Sequence, residues 1–289
     1  MRRADFLLLM FVCFIWAVNV VIGKLVFVHM AVPPIYYAAI RFLLVAGVLA
    51  PLLRPLPEQL GRIAIVALLV GAGHFGLLFL GLTASTPSSA AIVLQLGIPF
   101  TAILSVTVLR ERTTTKAVVG TVVALAGVLV VIWNPDEMRA SIGLLAIVGS
   151  TLSLSVGSIL LKRLRHIEPL RLQAWVGVIS WLPLALASLT LESNQLATSL
   201  DGGWLFLAAL VFSVVVVTVW AHTSYYGLLR RYDANLIAPL TLAMPIITVA
   251  LGVLITGDAV GPRQIAGSVV ALAGVALVLT GRPAPLRPR

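Results

Sequence analysis

Long apolar stretches alternate with short polar segments along the whole chain. Ten of these stretches contain roughly 20 residues each, the length that an α-helix needs to cross the hydrocarbon core of a bilayer. They cover residues 6–28, 35–53, 62–81, 88–109, 116–133, 142–161, 171–191, 204–229, 234–256 and 263–280. The separating segments contain prolines, glycines and charged residues, which commonly end helices. The pattern predicts an all-α integral membrane protein with ten transmembrane helices.

The apolar pattern also repeats. The seven residues Val-Val-Ala-Leu-Ala-Gly-Val occur at 122–128 and again at 269–275, in predicted helices five and ten. Upstream of them, Pro99 in predicted helix four matches Pro245 in predicted helix nine. The chain is therefore expected to consist of two five-helix repeats. Their predicted boundaries are residues 1–137 and 138–289.

Five membrane crossings are an odd number, so the second repeat must lie in the opposite orientation to the first. Many secondary carriers have such inverted repeats, with a substrate site near the middle of the membrane that opens to each side in turn. The repeat therefore predicts a transporter that works by alternating access.

Composition indicates that the bilayer is the solvent of this chain. Of its 289 residues 60% are hydrophobic and 10% are charged, and the mean hydropathy is +1.10. This leaves too little polar surface to cover a soluble globule. Arg2 and Arg3 precede the first apolar run, but no small-x-small cleavage site follows and the run is too long for a signal peptide. The single cysteine, Cys13, excludes an intramolecular disulfide.

The distribution of charge predicts the orientation. If the N-terminus is cytoplasmic, most of the 20 Lys and Arg fall on the cytoplasmic side, whereas the other side receives five acids: Asp136, Glu137, Glu192, Asp201 and Asp258. This positive-inside asymmetry predicts a multi-pass protein of the cell inner (cytoplasmic) membrane with both termini in the cytoplasm. The net charge of +10 then indicates contact with anionic lipid headgroups, and no nucleic-acid partner, because the cations lie in short loops beside the helices.

Polar residues inside predicted helices mark the faces that point away from lipid. Three faces carry them at helical spacing: Trp16 and Asn19 in helix one, Thr151 and Ser155 in helix six, and Thr218, His222 and Tyr225 in helix eight. The alternative is structural, since serine and threonine often bond to their own helix and aromatic rings pack. The repeat places helices one and six, and three and eight, in equivalent positions, which favours a shared substrate site.

Two prolines interrupt predicted helices four and nine. Pro99 and Pro245 each remove a backbone hydrogen bond, so the carbonyls of Gln95 and Thr241, four residues earlier, are expected to lack that partner. A kinked helix with free carbonyls can act as a hinge and can bind a ligand. A static kink that a neighbouring group satisfies is the alternative.

Arg41 and two histidines lie inside predicted helices. The Arg41 guanidinium can reach the membrane surface or hold an anionic group. His74 in helix three and His222 in helix eight have no carboxylate nearby in sequence. Each is either a hydrogen-bonded structural histidine or a residue that contacts substrate or relays protons.

Helices five and ten are almost free of polar residues and carry stripes of small ones, at Gly120, Ala124 and Gly127 and at Gly267, Ala271 and Gly274. Such stripes let helix backbones approach closely. They predict either a scaffold within the chain or the interface of a homodimer.

Some chemistry is missing from the sequence. None of the ten acids lies deep within a predicted helix, which disfavours exchange of cationic drugs against protons. There is no phosphate-binding loop, paired-histidine metal motif or nucleophile elbow. We therefore expect no catalytic residues, no metal and no cofactor, and the chain is not expected to be an enzyme.

Several short motifs resemble those of the EamA-type ten-helix carriers of the drug/metabolite transporter (DMT) superfamily. They are Trp16-Ala-Val-Asn19, Lys24, Pro33-Pro34, Arg41, Pro99, Arg110-Glu111 and Gly120 to Gly127. The resemblance implies export of amino acids or other small metabolites through a cavity lined by helices one to four and six to nine, with five and ten behind. Arg110 replaces the family's small residue before the acid, which the second repeat keeps as Gly257-Asp258.

The leading hypothesis is an inner-membrane secondary transporter that exports a small amphipathic or zwitterionic metabolite, with an amino acid as the expected substrate. Its predicted substrate-binding residues comprise aromatic walls, hydrogen-bonding groups and one cation: Trp16, His74, Trp175, His222 and Tyr225; Asn19, Gln95, Thr151, Ser155 and Thr241; and Arg41. The alternatives are a membrane-embedded enzyme acting on lipid-linked substrates and a passive channel.

Overall fold

The computed structural model describes residues 1–110, 113–133, 138–164, 167–232, 236–237 and 240–281. Within these ranges the regular structure is helical and there is no strand. Glu111, Asp136, Glu137 and the predicted boundary between the repeats at residue 137 lie outside the described residues.

We label the main helices of the described chain α1 to α10 in order. They are α1, Arg3–Lys24 with the π-helical turn Leu25–His29; α2, Pro34–Val48; α3, Leu60–Ala67, the π-helical Leu68–Gly73 and His74–Ala84; α4, Pro87–Leu94 and Gly97–Thr107; α5, Thr115–Ile132; α6, Met138–Leu161; α7, Pro169–Leu191; α8, Gln195–Val211, the π-helical Phe212–Ala221 and His222–Arg231; α9, Ala243–Leu251 and the π-helical Gly252–Thr256; and α10, Pro262–Thr280.

Eight helices in the described ranges are long and apolar enough to cross a membrane: α1, α3 to α8 and α10. The other two, α2 and α9, are apolar but shorter. Pro34 occupies the first turn of α2, where a proline is tolerated, and the helix ends before Pro51, in the 3₁₀ turn Ala50–Leu53. The structure therefore confirms an all-helical protein with multiple candidate membrane spans.

The helices pack in pairs that repeat. α3 packs against α6 as α8 packs against α1, and α4 packs against α6 as α9 packs against α1. Two further pairs, α2 with α7 and α5 with α10, join helices that occupy the same place in the two predicted repeats. Exchanging each helix for its counterpart five places along reproduces this set of contacts.

The two copies of the seven-residue motif bring α5 and α10 into backbone contact. A Cβ atom placed on Gly127 would lie 2.2 Å from the Ala271 nitrogen, and one on Gly274 would lie 2.2 Å from the Ala124 nitrogen. The stripes of small residues thus pack against each other within the chain, as the scaffold interpretation predicts.

Large apolar side chains cover the outer surface of this pair. Val122 and Val269, which begin the two motif copies, are 60% and 62% exposed, whereas Ala124 and Ala271 are fully buried. Each motif therefore has one face for the opposite helix and one apolar face without protein contact, which suits the interior of a bilayer.

Candidate substrate-binding site

Polar and aromatic side chains meet half-way along the helices. Trp16 is the central residue of Arg3–His29, and Arg41 is the central residue of Pro34–Val48. His74 in α3 and Ser150 in α6 also lie near the middle of their helices. We call this group, together with its partners on α8, the mid-helix layer; its members are Trp16, Arg41, His74, Ser150, Thr218 and His222.

Arg41 is the permanently charged member of the mid-helix layer. It is 1% exposed and does not reach the surface of the bundle. Its Nη2 donates to Thr218 Oγ1 at 3.0 Å, whereas Nε and Nη1 have no hydrogen-bond partner in the described part of the chain. The guanidinium carbon lies 4.2 Å from the centre of the Phe75 ring, with the rings of Phe42 and Phe79 at 5.9 and 6.0 Å. This environment leaves cationic donors unused.

Trp16 packs against two residues of α8. Its ring centre lies 5.4 Å from that of His222 and 5.1 Å from that of Tyr225, the latter edge-to-face. The indole Nε1 is buried and has no hydrogen-bond partner among the described residues. The cluster thus combines an aromatic wall with a second unused donor.

His74 and His222 occupy matching places. Each is the first residue after a π-helical segment, Leu68–Gly73 in α3 and Phe212–Ala221 in α8. A π-helical segment shifts the register of the residues that follow it and often lies at a functional site. Sequence periodicity did not indicate these segments.

Backbone hydrogen bonds define the protonated nitrogen of both rings. His74 Nδ1 lies 2.8 Å from Ser150 Oγ and 3.3 Å from the Ser150 carbonyl oxygen, and His222 Nδ1 lies 2.7 Å from the Val217 carbonyl oxygen. A carbonyl oxygen only accepts, so Nδ1 is the donor in each ring. In the neutral form, Nε2 of both histidines is therefore an acceptor.

The contacts within the mid-helix layer cross between the two predicted repeats. Arg41 bonds to Thr218 and His74 bonds to Ser150, while the ring of Trp16 contacts that of His222. In each pair one residue precedes position 137 and the other follows it. The layer is thus an interface between the two halves of the chain.

The helix breaks near the two prolines correct one expectation. The Gln95 carbonyl accepts the Ile98 N–H at 3.1 Å, and the Thr241 carbonyl accepts the Met244 N–H at 3.0 Å. The prediction that proline leaves these carbonyls unpaired is wrong, because a tight turn before each proline supplies a donor three residues along. Pro99 and Pro245 are both buried, and their role as hinges stays a prediction.

The other predicted site residues lie around the layer. Thr151 Oγ1 donates to its own helix at Ile147, and Ser155 Oγ donates to Thr151 and, at 3.3 Å, to the Gly97 carbonyl of α4. Gln95 is buried beside the same break in α4, and Asn19 is half-buried on α1.

Trp175 lies in the main apolar core on α7, and its indole Nε1 is buried without a hydrogen-bond partner in the described ranges. None of its described ring contacts or hydrogen bonds joins it to the mid-helix layer. The structure therefore joins some predicted residues by direct contacts and places Trp175 in the adjoining apolar core.

Sequence reasoning missed one residue of the layer, Ser150, and one residue that packs against it, Phe75. Phe75 bridges Arg41 and His74, since its ring centre lies 4.6 Å from that of His74. Ser150 donates from Oγ to the His74 carbonyl at 2.8 Å. Ser150 directly precedes the predicted Thr151, and a search for polar residues at mid-span, without the requirement of a shared face, would have found it.

Two acids connect the halves at one end of the bundle. Glu192, after α7, accepts the backbone N–H groups of Ile35 and Tyr36 at 2.8 and 2.9 Å, at the start of α2. Asp258, after α9, accepts the N–H and the hydroxyl of Ser88 at 2.9 and 2.5 Å, at the start of α4. We call these contacts the carboxylate clamps and this end the carboxylate end. Both clamps place a negative charge at a helix N-terminus, where it is stabilised.

Lys24 also lies at the carboxylate end. Its Nζ donates to the carbonyls of Leu82 and Ser85 at 3.0 and 2.7 Å, where α3 ends. A cation is stabilised at a helix C-terminus. The Lys24 cation is thus bound to backbone carbonyls of the first half of the chain.

The opposite end, which we call the basic end, is joined largely by arginine side chains. Asp5 accepts Arg231 Nη1 at 3.0 Å and the Tyr232 hydroxyl at 2.7 Å. The Arg231 side chain is 57% exposed. Arg163 donates to the Val108 carbonyl at 2.6 Å, and Arg171 donates to the Pro55 carbonyl.

No group of three His, Cys, Asp or Glu side chains in the described ranges is placed to hold a metal ion. The mid-helix layer instead offers hydrogen-bond donors, aromatic faces and two neutral imidazole acceptors. Such a set can bind a small organic molecule with a polar group and an apolar body.

Comparison with known proteins identifies the family. A model of the EamA-like transporter family matches the chain twice, at residues 4–133 and 141–280. A protein of known crystal structure superimposes with a TM-score of 0.63 over 96% of both chains at 19% sequence identity, which shows a shared fold.

Curated relatives extend over the whole chain. A probable amino-acid metabolite efflux pump of Salmonella typhimurium is 30% identical and covers 97% of this chain and 96% of its own length. A protein of the same description from Escherichia coli is 26% identical over the same shares of the two chains. An uncharacterized transporter of Archaeoglobus fulgidus is 27% identical over 67% of this chain and 68% of its own. With two matches to the family model and a relative that is 30% identical over 97% of this sequence, the chain belongs to the EamA-like transporter family of membrane transporters.

Proposed function

We propose that this chain is a secondary transporter that exports a small amphipathic metabolite of the amino-acid class by alternating access. The observation that carries the proposal is the mid-helix layer, in which Arg41, His74 and Trp16 of the first half each contact a residue of the second half. A site between two halves and midway through the bundle is where an alternating-access carrier binds its substrate. The curated relatives described as amino-acid metabolite efflux pumps support the substrate class.

Alternating access requires two inverted halves. We propose ten membrane spans, with α2 and α9 as short spans beside the eight long ones, in repeats of residues 1–137 and 138–289. The double match to the family model and the paired helix contacts support this arrangement. The stripes of small residues are occupied by the contact between α5 and α10, so a homodimer would form through another surface.

The orientation follows from charge. We assign the basic end to the cytoplasm and the carboxylate end to the opposite side of the inner membrane, because Arg163, Arg171 and Arg231 lie at the basic end. Both termini would then be cytoplasmic, and the arginines would face anionic lipid headgroups.

Residues of the layer and its surroundings take distinct roles in the proposal. Arg41 binds the carboxylate of the substrate, and the aromatic side chains form the wall around its apolar part. The remaining predicted residues provide hydrogen bonds as the layer opens: Asn19, Gln95, Thr151, Ser155 and Thr241. Pro99 and Pro245 lie at the breaks about which α4 and α9 bend.

Arg41 and His74 are buried in this conformation, so substrate reaches the layer only when one end of the bundle opens. Opening the carboxylate end breaks the clamps of Glu192 and Asp258, and opening the basic end breaks the contacts of Asp5 and the arginine side chains. In the proposed cycle one end opens while the other stays closed.

Reconstitution tests the proposal. Purified protein is reconstituted into liposomes that are loaded with a panel of radiolabelled amino acids. Efflux is then measured with and without a pH gradient. We expect saturable efflux that is stimulated by unlabelled amino acid on the opposite side. Flux that does not saturate and shows no exchange would instead indicate a channel, and a covalent change in the solute would indicate an enzyme.

A further inference from the structure

The charge of the mid-helix layer has no counterpart within the layer. Five acids in the described part of the chain lie at or near helix ends or in the connections: Asp5, Glu58, Glu168, Glu192 and Asp258. Asp201 lies within α8 but outside the layer. Asp5, Glu192 and Asp258 bind partners at the two ends of the bundle. The described hydrogen-bond partner of the buried Arg41 guanidinium is a neutral hydroxyl, that of Thr218.

A buried guanidinium without an anion is an unfavourable arrangement. Desolvation of a cation costs more than one hydrogen bond to a hydroxyl and the attraction of nearby aromatic rings recover. The Phe75 ring at 4.2 Å offsets part of this cost. The unpaired Nε and Nη1 lie on opposite edges of the guanidinium, and Nη2 uses only one of its two N–H groups for Thr218, so one edge keeps two parallel free donors. The missing group is therefore an anion that accepts from both donors of that edge.

The second unpaired donor lies close by in the fold. Trp16 Nε1 belongs to the ring that contacts His222, and His222 lies one helical turn beyond Thr218, the partner of Arg41. The unpaired groups of Arg41 and Trp16 are all hydrogen-bond donors, so each can bind an acceptor oxygen of a ligand.

An ammonium group finds a different environment. The two histidines use Nδ1 to donate, so they offer only neutral Nε2 acceptors. The layer carries one positive charge from Arg41 and has no carboxylate among its described members. A monoanion neutralises this charge, a zwitterion leaves it uncompensated overall, and a cation is repelled by it.

We propose that the site recognises its substrate as a carboxylate anion and does not require the α-amino group. Amphipathic 2-oxo, 2-hydroxy and N-acylated acids then belong to the same substrate class as the amino acid with the same side chain. This inference deepens the proposed function and relies on it for the location of the site, but it concerns recognition and can be measured as binding.

The experiment compares four probes that share one apolar side chain: leucine, 4-methyl-2-oxopentanoate, leucinamide and isopentylamine. Binding to the purified full-length protein in detergent is measured at pH 7 by displacement of radiolabelled 4-methyl-2-oxopentanoate and by quenching of tryptophan fluorescence. At this pH both acids carry an ionised carboxylate and both amines carry a positive charge. We expect the oxo acid to bind at least as tightly as leucine and both amines to bind at least about tenfold more weakly.

Two variants test whether Arg41 causes the preference for acids over amines. Arg41→Met keeps the length and apolar body of the side chain, and we expect it to lower the affinity for the oxo acid at least about tenfold. Arg41→Lys keeps the charge and should retain part of the affinity, although it lacks the planar fork. Circular dichroism and monodispersity of each variant show whether it is folded. If Arg41→Met does not fold, Trp16→Phe removes the second donor and should weaken the acids relative to the amines.

The outcomes separate this inference from the proposed function. Amines that bind as well as acids, an acid preference that persists in Arg41→Met, or an absence of binding by all four probes would overturn it. Leucine efflux without any binding of the oxo acid would overturn it while leaving the proposed function in place. Binding of the acids without transport of any solute would support it and count against the proposed function.

Discussion

Two kinds of contact join the halves of this protein, and they are built on opposite principles. In the contact between α5 and α10, backbone lies against backbone, with Gly127 against Ala271 and Gly274 against Ala124. At the carboxylate end, single side chains span the gap, with Glu192 and Asp258 each bonded to the start of a helix in the other half. The first contact is extensive and apolar, and the second consists of a few hydrogen bonds.

The difference indicates where the halves can move. Close-packed helices have few alternative arrangements, because a shift of one backbone past the other creates voids or collisions. A hydrogen bond from a carboxylate to a helix N-terminus can break and be replaced by water once that end opens. We therefore expect α5 and α10 to act as a pivot and the carboxylate clamps to act as latches.

The largest effect is expected from a side chain placed in the pivot. Gly127→Ala introduces a Cβ atom 2.2 Å from a backbone nitrogen, and backbone cannot rotate away as a side chain can. Overpacking typically costs about 1–3 kcal/mol, and because this contact is with backbone we expect a cost above that range. We expect loss of monodisperse protein in fluorescence-detected size-exclusion chromatography and a lower melting temperature.

The matched control for Gly127→Ala is Gly47→Ala. Apart from its chain neighbours and its own helix backbone, no described heavy atom lies within 4 Å of a Cβ built on Gly47, which is also helical. This variant should be folded and at least as stable as the parent, because alanine is favoured over glycine within a helix. Normal yield and stability of Gly127→Ala would contradict the close contact.

A smaller effect is expected when a clamp is removed. Asp258→Ala leaves the buried N–H and hydroxyl of Ser88 without their acceptor in the closed state. A hydrogen bond to a charged group contributes about 1.5–3 kcal/mol, so the population with an open carboxylate end should rise at least about tenfold. Spin labels at Thr83→Cys and Leu254→Cys, in a Cys13→Ala background, would report this as a longer distance in pulsed electron resonance.

Thr256→Val is the control for this measurement. Thr256 donates to Asp258 Oδ1 at 2.7 Å from the same segment, so its loss leaves the bond to Ser88 in the other half intact. The distance distribution of this variant should stay close to that of the labelled parent. An unchanged distribution in Asp258→Ala would show that the clamp does not hold the carboxylate end shut.

The second clamp tests whether the halves move as rigid bodies. Glu192→Gln keeps one acceptor for α2 but loses the charge and the second acceptor. If each half rocks as a unit, this substitution also raises the population with the longer distance between Thr83 and Leu254. We expect the free-energy difference between the closed and open states to change by about 1 kcal/mol. Glu168→Gln, at the start of α7, removes an acid from the opposite end of the same helix and should not shift it. A change confined to the surroundings of α2 would argue for independent opening.

Sequence predicted the helices and much of the polar interior for one physical reason. A bilayer tolerates few polar groups, so each of Trp16, Arg41 and His74 stands out within an apolar stretch, and the structure places all three near the middle of their helices. The stripes of small residues in α5 and α10 predicted close packing, because small residues at this spacing let helix backbones approach each other.

The contacts between distant segments could not be predicted in the same way. Glu192 lies in a short connection, where an acid in contact with water looks the same in sequence as an acid that caps α2. Sequence predicted helix breaks near Pro99 and Pro245, and the structure has a turn just before each proline. The hydrogen bonds that this turn provides to the Gln95 and Thr241 carbonyls depend on backbone geometry, which the sequence does not show. The π-helical segments before His74 and His222 add a residue to a turn without any change in the apolar pattern.

The smallest effect is expected at the basic end. Asp5→Asn weakens the pair with Arg231, whose side chain is 57% exposed, while an amide at this position can still accept from the Tyr232 hydroxyl. The Asp5 side chain is 12% exposed, but an ion pair whose cation is solvated contributes little, about 0–1 kcal/mol, and is screened by salt. Because a carrier opens only one end at a time, weakening this end should slightly favour its opening and so shorten the mean distance between Thr83 and Leu254. The shift should vanish at high salt. A longer distance would mean that the two ends open together, which is incompatible with a pivot between α5 and α10 that closes one end as it opens the other.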